Sequence, residues 1–305
     1  VGRLSVNLAG VELANPVMPA SGTAAYGQSM AQQLDLGALG AFVIKSTTAH
    51  AKEGNPRPTT APTKAGWLNA IGLKNPGIDN VLAEKLRWLA QHYPNLPIVG
   101  SVAGATFDEY VAVAKRMASA PNVQLLEINI SCPNVAHGGL AFGTDPQTVQ
   151  RLTSAIVTAV NKPVFMKLTP NVTDIVPIAQ ATEAGGASGL TMINTLTGMG
   201  IDLKTRQPIL ANGTGGLSGK AIHPLAVRMI HAVRQQTKLP IIGVGGVFTP
   251  EDVLEFYLAG ANAVQVGAAT YGQPTACTDI ITGLPAVMDQ YGIGSLSQLI
   301  TEVQG

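Results

Sequence analysis

One thiol and two carboxamides stand together in the segment Asn129-Ile130-Ser131-Cys132-Pro133-Asn134. A thiolate can accept a proton, and carboxamides can hold a flat polar ligand through their paired donors and acceptors. The segment follows Leu125-Leu126-Glu127-Ile128, which reads as a buried strand that Pro133 brings to a stop. A reaction site at a strand terminus is the expectation. Lys45 and Lys167 also close apolar runs. A buried ammonium is costly without a partner, although a single lysine can pack its stem and keep its head in water. Two at equivalent places favour an anionic or electron-rich ligand. Glycines at Gly215-Gly216-Leu217-Ser218-Gly219, Gly245-Gly246 and Gly267 could let backbone N–H groups approach a phosphate. For any one of them a tight turn is the plainer reading.

The common nucleotide motifs do not fit. Gly243-Val244-Gly245 is followed by Phe248 where a dinucleotide fingerprint requires its third glycine. Gly219-Lys220 has Thr214 at the first glycine position of a Walker turn and Ala221 at its Ser/Thr position. The five histidines form no i, i+4 pair and no cluster with cysteine, so no metal site is expected. No Gly-x-Ser-x-Gly elbow is present for a serine hydrolase.

The elements that must position these groups alternate along the chain. After a short ribbon (Leu4–Leu8, turn, Val11–Leu13), apolar runs of strand length occur at Val17–Ser21, Ala41–Ser46, Pro97–Ala103, Leu125–Ser131, Pro163–Thr169, Gly189–Thr195, Pro240–Val247 and Ala263–Ala269. Near-continuous apolar runs indicate strands covered on both faces. Ile78, Val81, Leu82, Leu86 and Leu89 share one helical face, as do Tyr110, Val111, Ala114, Met117 and Ala118. Thr106 with Glu109 forms a candidate capping box, Thr249-Pro250 an N-cap with proline at the first helical position, and Gly260 a helix stop. Eight strand–helix units predict a single (β/α)8 barrel domain over residues 1–305, with an N-terminal β-hairpin and loop excursions at the C-terminal face, where catalytic residues gather. An open doubly wound sheet is the rival. The longest excursion runs from Thr47 to Asn75.

The 305 residues are 46% hydrophobic and 12% charged, with a formal net charge of +1. That balance implies no bulk attraction to nucleic acid or to an acidic membrane. No stretch approaches the length of a membrane span, and no basic-then-apolar leader is read. Two cysteines, Cys132 and Cys277, make neither a disulfide framework nor a metal spacing, and both could be inert core residues. A cytoplasmic location is expected.

The chain resembles the class 1 dihydroorotate dehydrogenases, and specifically the 1B catalytic subunit. The resemblance rests on residues 69–77, 129–134, 139–146, Ile193-Asn194-Thr195 and residues 215–219, with 139–146 and Gly66-Trp67-Leu68-Asn69 favouring 1B over the fumarate-using 1A branch. Cys132 stands where class 2 enzymes use serine. The resemblance implies oxidation of dihydroorotate to orotate in pyrimidine biosynthesis, with Cys132 as general base at C5 and hydride transfer from C6 to N5 of flavin mononucleotide (FMN). It places Lys45, Asn69, Ile71, Gly72, Leu73, Asn129, Asn134, Asn194 and Thr195 at the substrate. It places Ser21, Gly22, Lys45, Ser46, Ser101, Asn129, Lys167, Ile193, Gly219, Gly245, Gly246, Gly267 and Ala268 at the flavin, with Lys167 near N1 and O2. It also implies a homodimer of this chain within a heterotetramer, whose partner subunit carries FAD and a [2Fe-2S] cluster and reduces NAD+. Two cysteines here are too few for such a cluster. Some positions depart from the family pattern: Ser101 replaces an asparagine, Ala268 a threonine and Lys220 a proline, and Thr23–Tyr26 lacks an aromatic pattern. A related flavin barrel acting on another dihydropyrimidine, a flavin-free lyase or isomerase using Lys45 or Lys167, and a non-catalytic scaffold are the alternatives.

Overall fold

The computed structural model describes residues 2–131 and 142–304. Strands β1 (Val6–Leu8) and β2 (Val11–Leu13) pair antiparallel across the Ala9-Gly10 turn, forming the expected hairpin. Eight further strands form one parallel sheet: β3 (Val17–Pro19), β4 (Phe42–Val43), β7 (Ile98–Val102), β8 (Val123–Asn129), β9 (Val164–Lys167), β10 (Gly189–Met192), β15 (Ile241–Val244) and β16 (Ala263–Val266). Their order, β3-β16-β15-β10-β9-β8-β7-β4, is the sequential order of a barrel opened between its first two strands. At that join, Gly40 N–H donates to Val17 O and Lys45 N–H to Ala25 O, both at 2.9 Å, which nearly closes the cylinder. β9, β10, β15 and β16 are buried at every position, as strands covered on both faces must be.

Helices alternate with the strands, with one departure. β3 is followed by two 3-10 turns, Met30–Gln32 and Leu36–Ala38, rather than an α-helix. Gly22, Gly27, Gly37 and Gly40 break that stretch, and the Asp35 carboxylate accepts from Gly37 N–H to hold the second turn. Helix Phe107–Ala118 buries Tyr110, Val113, Ala114, Met117 and Ala118. Thr106 caps it, but the Glu109 carboxylate accepts from Ala105 N–H and Ala49 N–H, so the capping box is only half formed. The reciprocal box is complete in helix Pro250–Ala259, between Thr249 and Asp252, and Gly260 ends that helix at φ +113°.

The excursion after β4 carries secondary structure of its own. β5 (Thr60–Thr63) and β6 (Gly66–Asn69) join β11 (Leu196–Met199) and β14 (Thr214–Ser218) in a four-stranded antiparallel sheet, ordered β11-β14-β6-β5. Two loops distant in sequence are thus stitched into one sheet beside the strand C-termini. Between β11 and β14 lies the short ribbon β12 (Ile201–Asp202) and β13 (Gln207–Pro208), which exposes Ile201 and Leu203, with Met199 exposed at the end of β11. Gly215 and Gly216, expected in a phosphate loop, lie inside β14. A Cβ on Gly216 would stand 2.1 Å from Thr195 Oγ1, and one on Gly215 2.7 Å from Asn69 O. Close packing, against the Thr195 side chain at Gly216 and against the β6 backbone at Gly215, requires glycine at both.

Candidate active site

A cavity of about 340 Å3 opens where the barrel strands end. That is within the usual range for a small-molecule site, roughly 300–1,000 Å3. Ser21 and Gly22 reach it from beyond β3, Lys45 and Ser46 from beyond β4, Asn129 from the end of β8 with Ser131 just past it, and Lys167 from β9. Ile193, Asn194 and Thr195 follow β10, Gly245 and Gly246 follow β15, and Gly267 and Ala268 follow β16. The antiparallel sheet adds Asn69 and Ser218, and the turn after β6 adds Ala70, Ile71, Gly72 and Leu73.

The carboxamides hold one another. Asn194 Nδ2 donates to Asn129 Oδ1 at 3.1 Å and to Ser131 Oγ at 2.9 Å, while Asn194 Oδ1 accepts from Thr195 N–H at 2.8 Å. Asn129 Oδ1 also accepts from Ser131 N–H, so what Asn129 offers the cavity is its amide N–H pair. Tyr110 fixes the same residue from below, its hydroxyl donating to Asn129 O at 2.6 Å. Across the cavity, Asn69 Nδ2 donates to Gly216 O at 3.2 Å. The turn that follows holds Gly72 at φ +74° and Leu73 at φ +55°. A left-handed leucine costs about 1–2 kcal/mol. Neighbours hold it there: Asn75 Nδ2 donates to Leu73 O, and Asn55 N–H and Nδ2 donate to Ile71 O and Ala70 O.

The two lysines differ in their surroundings. Burial, with Lys74 as a second cause, lowers the Lys45 ammonium below its ordinary value. Lys167 sits over a buried acid, with Nζ 3.5 Å from Glu127 Oε1 and donating to Gln265 Oε1 at 3.3 Å. Gln265 Nε2 in turn donates to Glu127 Oε2 at 2.5 Å. A hydroxyl chain runs from the same carboxylate towards the cavity: Ser101 Oγ donates to Glu127 Oε1 and lies 2.8 Å from Ser46 Oγ and 3.1 Å from Ser21 Oγ.

At the far end the lining is backbone. Gly219, Gly245 and Gly246 adopt φ +113°, +138° and +67°. A Cβ on Gly246 would stand 2.7 Å from Gly219 O, and one on Gly219 2.6 Å from Gly66 Cα. His223 braces this rim through Nδ1, 3.0 Å from Gly245 O, and stacks on Phe256 with ring centroids 4.8 Å apart. This is a cradle of main-chain amides suited to a phosphate, with fixed side-chain donors and a cation further in. The set fits a flavin mononucleotide, whose ring is polar along one edge and whose tail ends in phosphate.

The cavity therefore gathers Lys45, Asn69, Ile71, Gly72, Leu73, Asn129, Asn194, Thr195, Ser21, Gly22, Ser46, Lys167, Ile193, Gly219, Gly245, Gly246, Gly267 and Ala268. Ser101, expected at the flavin, does not line it. Its side chain is too short to leave the barrel interior, and it is fully buried in the hydroxyl chain below. Cys132 and Asn134 lie outside the described residues. Sequence reasoning missed Glu127 and Gln265, although a charged or amide side chain inside each apolar run was the available signal. It also missed Ser131, Ser218 and Tyr271. Tyr271 lines the cavity one turn past Gly267-Ala268 and meets Trp67 edge-on at 5.6 Å. The histidine reading needs one addition: His223 Nε2 lies 3.2 Å from Glu255 and 3.8 Å from Asp252, a grouping that sequence spacing does not show.

Comparison with known proteins agrees with this geometry. The family model described as dihydroorotate dehydrogenase matches residues 3–288. A Lactiplantibacillus plantarum protein named dihydroorotate dehydrogenase A (fumarate) is 85% identical, over 100% of both chains. An Enterococcus faecalis protein named dihydroorotate dehydrogenase B (NAD(+)), catalytic subunit, is 56% identical over 99% of this chain and 96% of its own. The crystal structure of a dihydroorotate dehydrogenase from Eimeria tenella in complex with ferulenol superposes with a TM-score of 0.81 at 21% identity, covering 98% of this chain and 88% of that one, and so shares the fold. The chain belongs to the dihydroorotate dehydrogenase family.

Proposed function

We propose that this cavity oxidises dihydroorotate to orotate, a step of pyrimidine biosynthesis, with FMN as its resident group and the whole site carried on one barrel domain in the cytoplasm. The observation that carries the reading is the convergence of Asn69, Asn129, Asn194 and Lys45 beside a glycine-lined cradle at the strand ends. When bound, the flavin supplies a two-electron acceptor for the hydride leaving C6. The chain's own residues do the rest. Asn69, Asn129, Asn134 and Asn194 hold the pyrimidine ring edge, and Lys45 with the amides of Ile71, Gly72 and Leu73 takes the carboxylate. Cys132 follows Ser131 directly, and Ser131 is tied to Asn194. As thiolate, Cys132 removes the C5 proton. An ordinary thiol, with a pKa of about 8.5, is a workable base near neutrality once its surroundings favour the anion. Ser21, Gly22, Ser46, Ile193 and Thr195 line the flavin, Gly219, Gly245, Gly246, Gly267 and Ala268 surround its phosphate, and Lys167 supplies a fixed cation where negative charge grows on reduction.

The acceptor divides two readings. The relative at 85% identity is named for fumarate, and on that ground we take fumarate as the direct acceptor, entering the same cavity once orotate has left. The 1B reading, with electrons leaving to a partner subunit bearing FAD and [2Fe-2S] and then to NAD+, is favoured by segments 66–69 and 139–146 and by the Enterococcus relative's name. Its assembly is a dimer of this chain with two such partners. Adding dihydroorotate anaerobically to the purified protein tests the common half: flavin absorbance must bleach, and must not bleach with dihydrouracil. Reoxidation of the bleached protein by fumarate alone separates the acceptors. Failure to bleach overturns the proposed activity. Among the described residues no helix is long and apolar enough to cross a membrane.

A further inference from the structure

Glu127 has no part in the chemistry above, yet it is sealed inside the barrel at 0% exposure. Each of its oxygens is committed. Oε1 faces Lys167 Nζ at 3.5 Å and accepts from Ser101 Oγ at 3.4 Å, and Oε2 accepts from Gln265 Nε2 at 2.5 Å. Gln265 closes the triangle by accepting from Lys167 at 3.3 Å. The three side chains come from β8, β9 and β16, so the triangle spans the barrel interior. An ammonium has three N–H donors. Gln265 accepts one from within, Glu127 faces the same nitrogen as its counter-charge, and Lys167 also lines the cavity. Stability does not explain this arrangement. A well-packed apolar pair of similar volume commonly does as well as a buried ion pair, or better.

We propose that Glu127 is a positioning residue: it fixes the Lys167 ammonium at the edge of the flavin cavity and offsets its charge, so the flavin's reduction potential is set by the ion pair and not by a lone cation. This inference rests on the FMN reading above. Gln265 fixes the geometry from the side, since its amide oxygen meets the lysine only while its nitrogen meets the acid. The pair presents its positive end to the cavity and keeps its negative end one layer deeper. Low-polarity surroundings make both charges felt at the ring.

The test is the midpoint potential of the bound flavin in four holoproteins: wild type, Glu127→Gln, Lys167→Met and the double variant. The net charge of the pair is zero, plus one, minus one and zero in turn. The expected order of potentials, from most to least positive, is Glu127→Gln, wild type, double variant, Lys167→Met. Each step of one charge is expected to change the reduced-to-oxidised flavin ratio at fixed potential at least tenfold, about 30 mV for a two-electron couple. A Glu127→Gln potential equal to or below wild type overturns the proposal, as does a double variant that matches Lys167→Met. If one single variant fails to retain flavin, the comparison across the other edge of the cycle decides in the same way, because the double variant leaves no buried charge unpaired. Wild-type protein that binds no flavin defeats the functional reading and this inference together. A flat Glu127 series in protein that binds flavin and is bleached by dihydroorotate defeats this inference alone.

Discussion

Replacing Gly216 by alanine tests whether the antiparallel sheet is locked against the substrate side of the cavity. The added Cβ would lie 2.1 Å from Thr195 Oγ1 and 2.6 Å from Thr195 Cβ. Rotating the threonine moves Oγ1 but not Cβ, so a side-chain flip cannot relieve the contact. Thr195 is itself held, its N–H donating to Asn194 Oδ1 at 2.8 Å and its carbonyl accepting from Asn171 Nδ2 at 3.1 Å. The strand must therefore move away from the loop. Overpacking of this kind costs about 1–3 kcal/mol. Unfolding entropy near ~2.1 cal/mol/K per residue gives roughly 0.6 kcal/mol/K for a chain of this length, so the expected loss in Tm is about 2–5 °C. Scanning calorimetry measures it, with Gly272→Ala as control because a Cβ there meets nothing within 4 Å. Dihydroorotate KM should rise in Gly216→Ala, since Asn194 and Thr195 shift together, and stay unchanged in the control. A Gly216→Ala Tm within 1 °C of wild type, or an equal drop in the control, would refute the close-packing argument.

Cys132→Ala should keep its flavin and lose about 10²–10⁴-fold in the reductive half-reaction, read by stopped-flow bleaching. Burial, with Asp279 adding to it, pushes the Cys277 thiol up to about 12. Iodoacetamide at neutral pH should therefore label Cys132 and spare Cys277 in a mass-spectrometric digest, and Cys277→Ala should leave turnover intact. The Lys45 ammonium is lowered by burial and by Lys74, so the charged form is disfavoured on folding and stability rises with pH between the lowered value and 10.5. Lys45→Met should then raise Tm at neutral pH while raising KM for dihydroorotate, and calorimetry with steady-state kinetics checks both signs. Buried Arg234 donates to Gly260 O, Thr237 O, Leu239 O and Asn262 Oδ1. Arg234→Leu should strand those acceptors and lower Tm by at least 3 °C, on a cost of roughly 2 kcal/mol or more.

Much of the barrel was legible because buried parallel strands write themselves as continuous apolar runs. The runs at Pro163–Thr169 and Ala263–Ala269 contain β9 and β16 whole, each with its site residues just past the strand end or closing it. The missing first helix was harder to see, since Met30 and Leu36 are apolar and buried but sit in 3-10 turns. The antiparallel sheet was not legible at all. β5 reads Thr-Ala-Pro-Thr and β14 Thr-Gly-Gly-Leu-Ser, neither of which alternates convincingly; β5 pairs locally with β6, and β14 joins that hairpin only because the fold brings a remote loop beside it. For the site, strand-end logic found the cations and amides. It missed the Glu127 and Gln265 layer because their role depends on which strands face one another across the interior, a relation no local pattern contains.

The interleaving of β6 and β14 bears on how this scaffold can be altered. In most barrels of this type each loop at the catalytic end can be lengthened, shortened or exchanged by itself. Here Asn69 pairs with Gly216 and Leu68 with Leu217, so the excursion after β4 and the one after β10 behave as a single module. Transplanting either from a relative with different specificity would misalign the ladder and the wall that carries Asn69. The two must travel as a pair, so that the ladder and the Asn69 wall arrive in the new scaffold together.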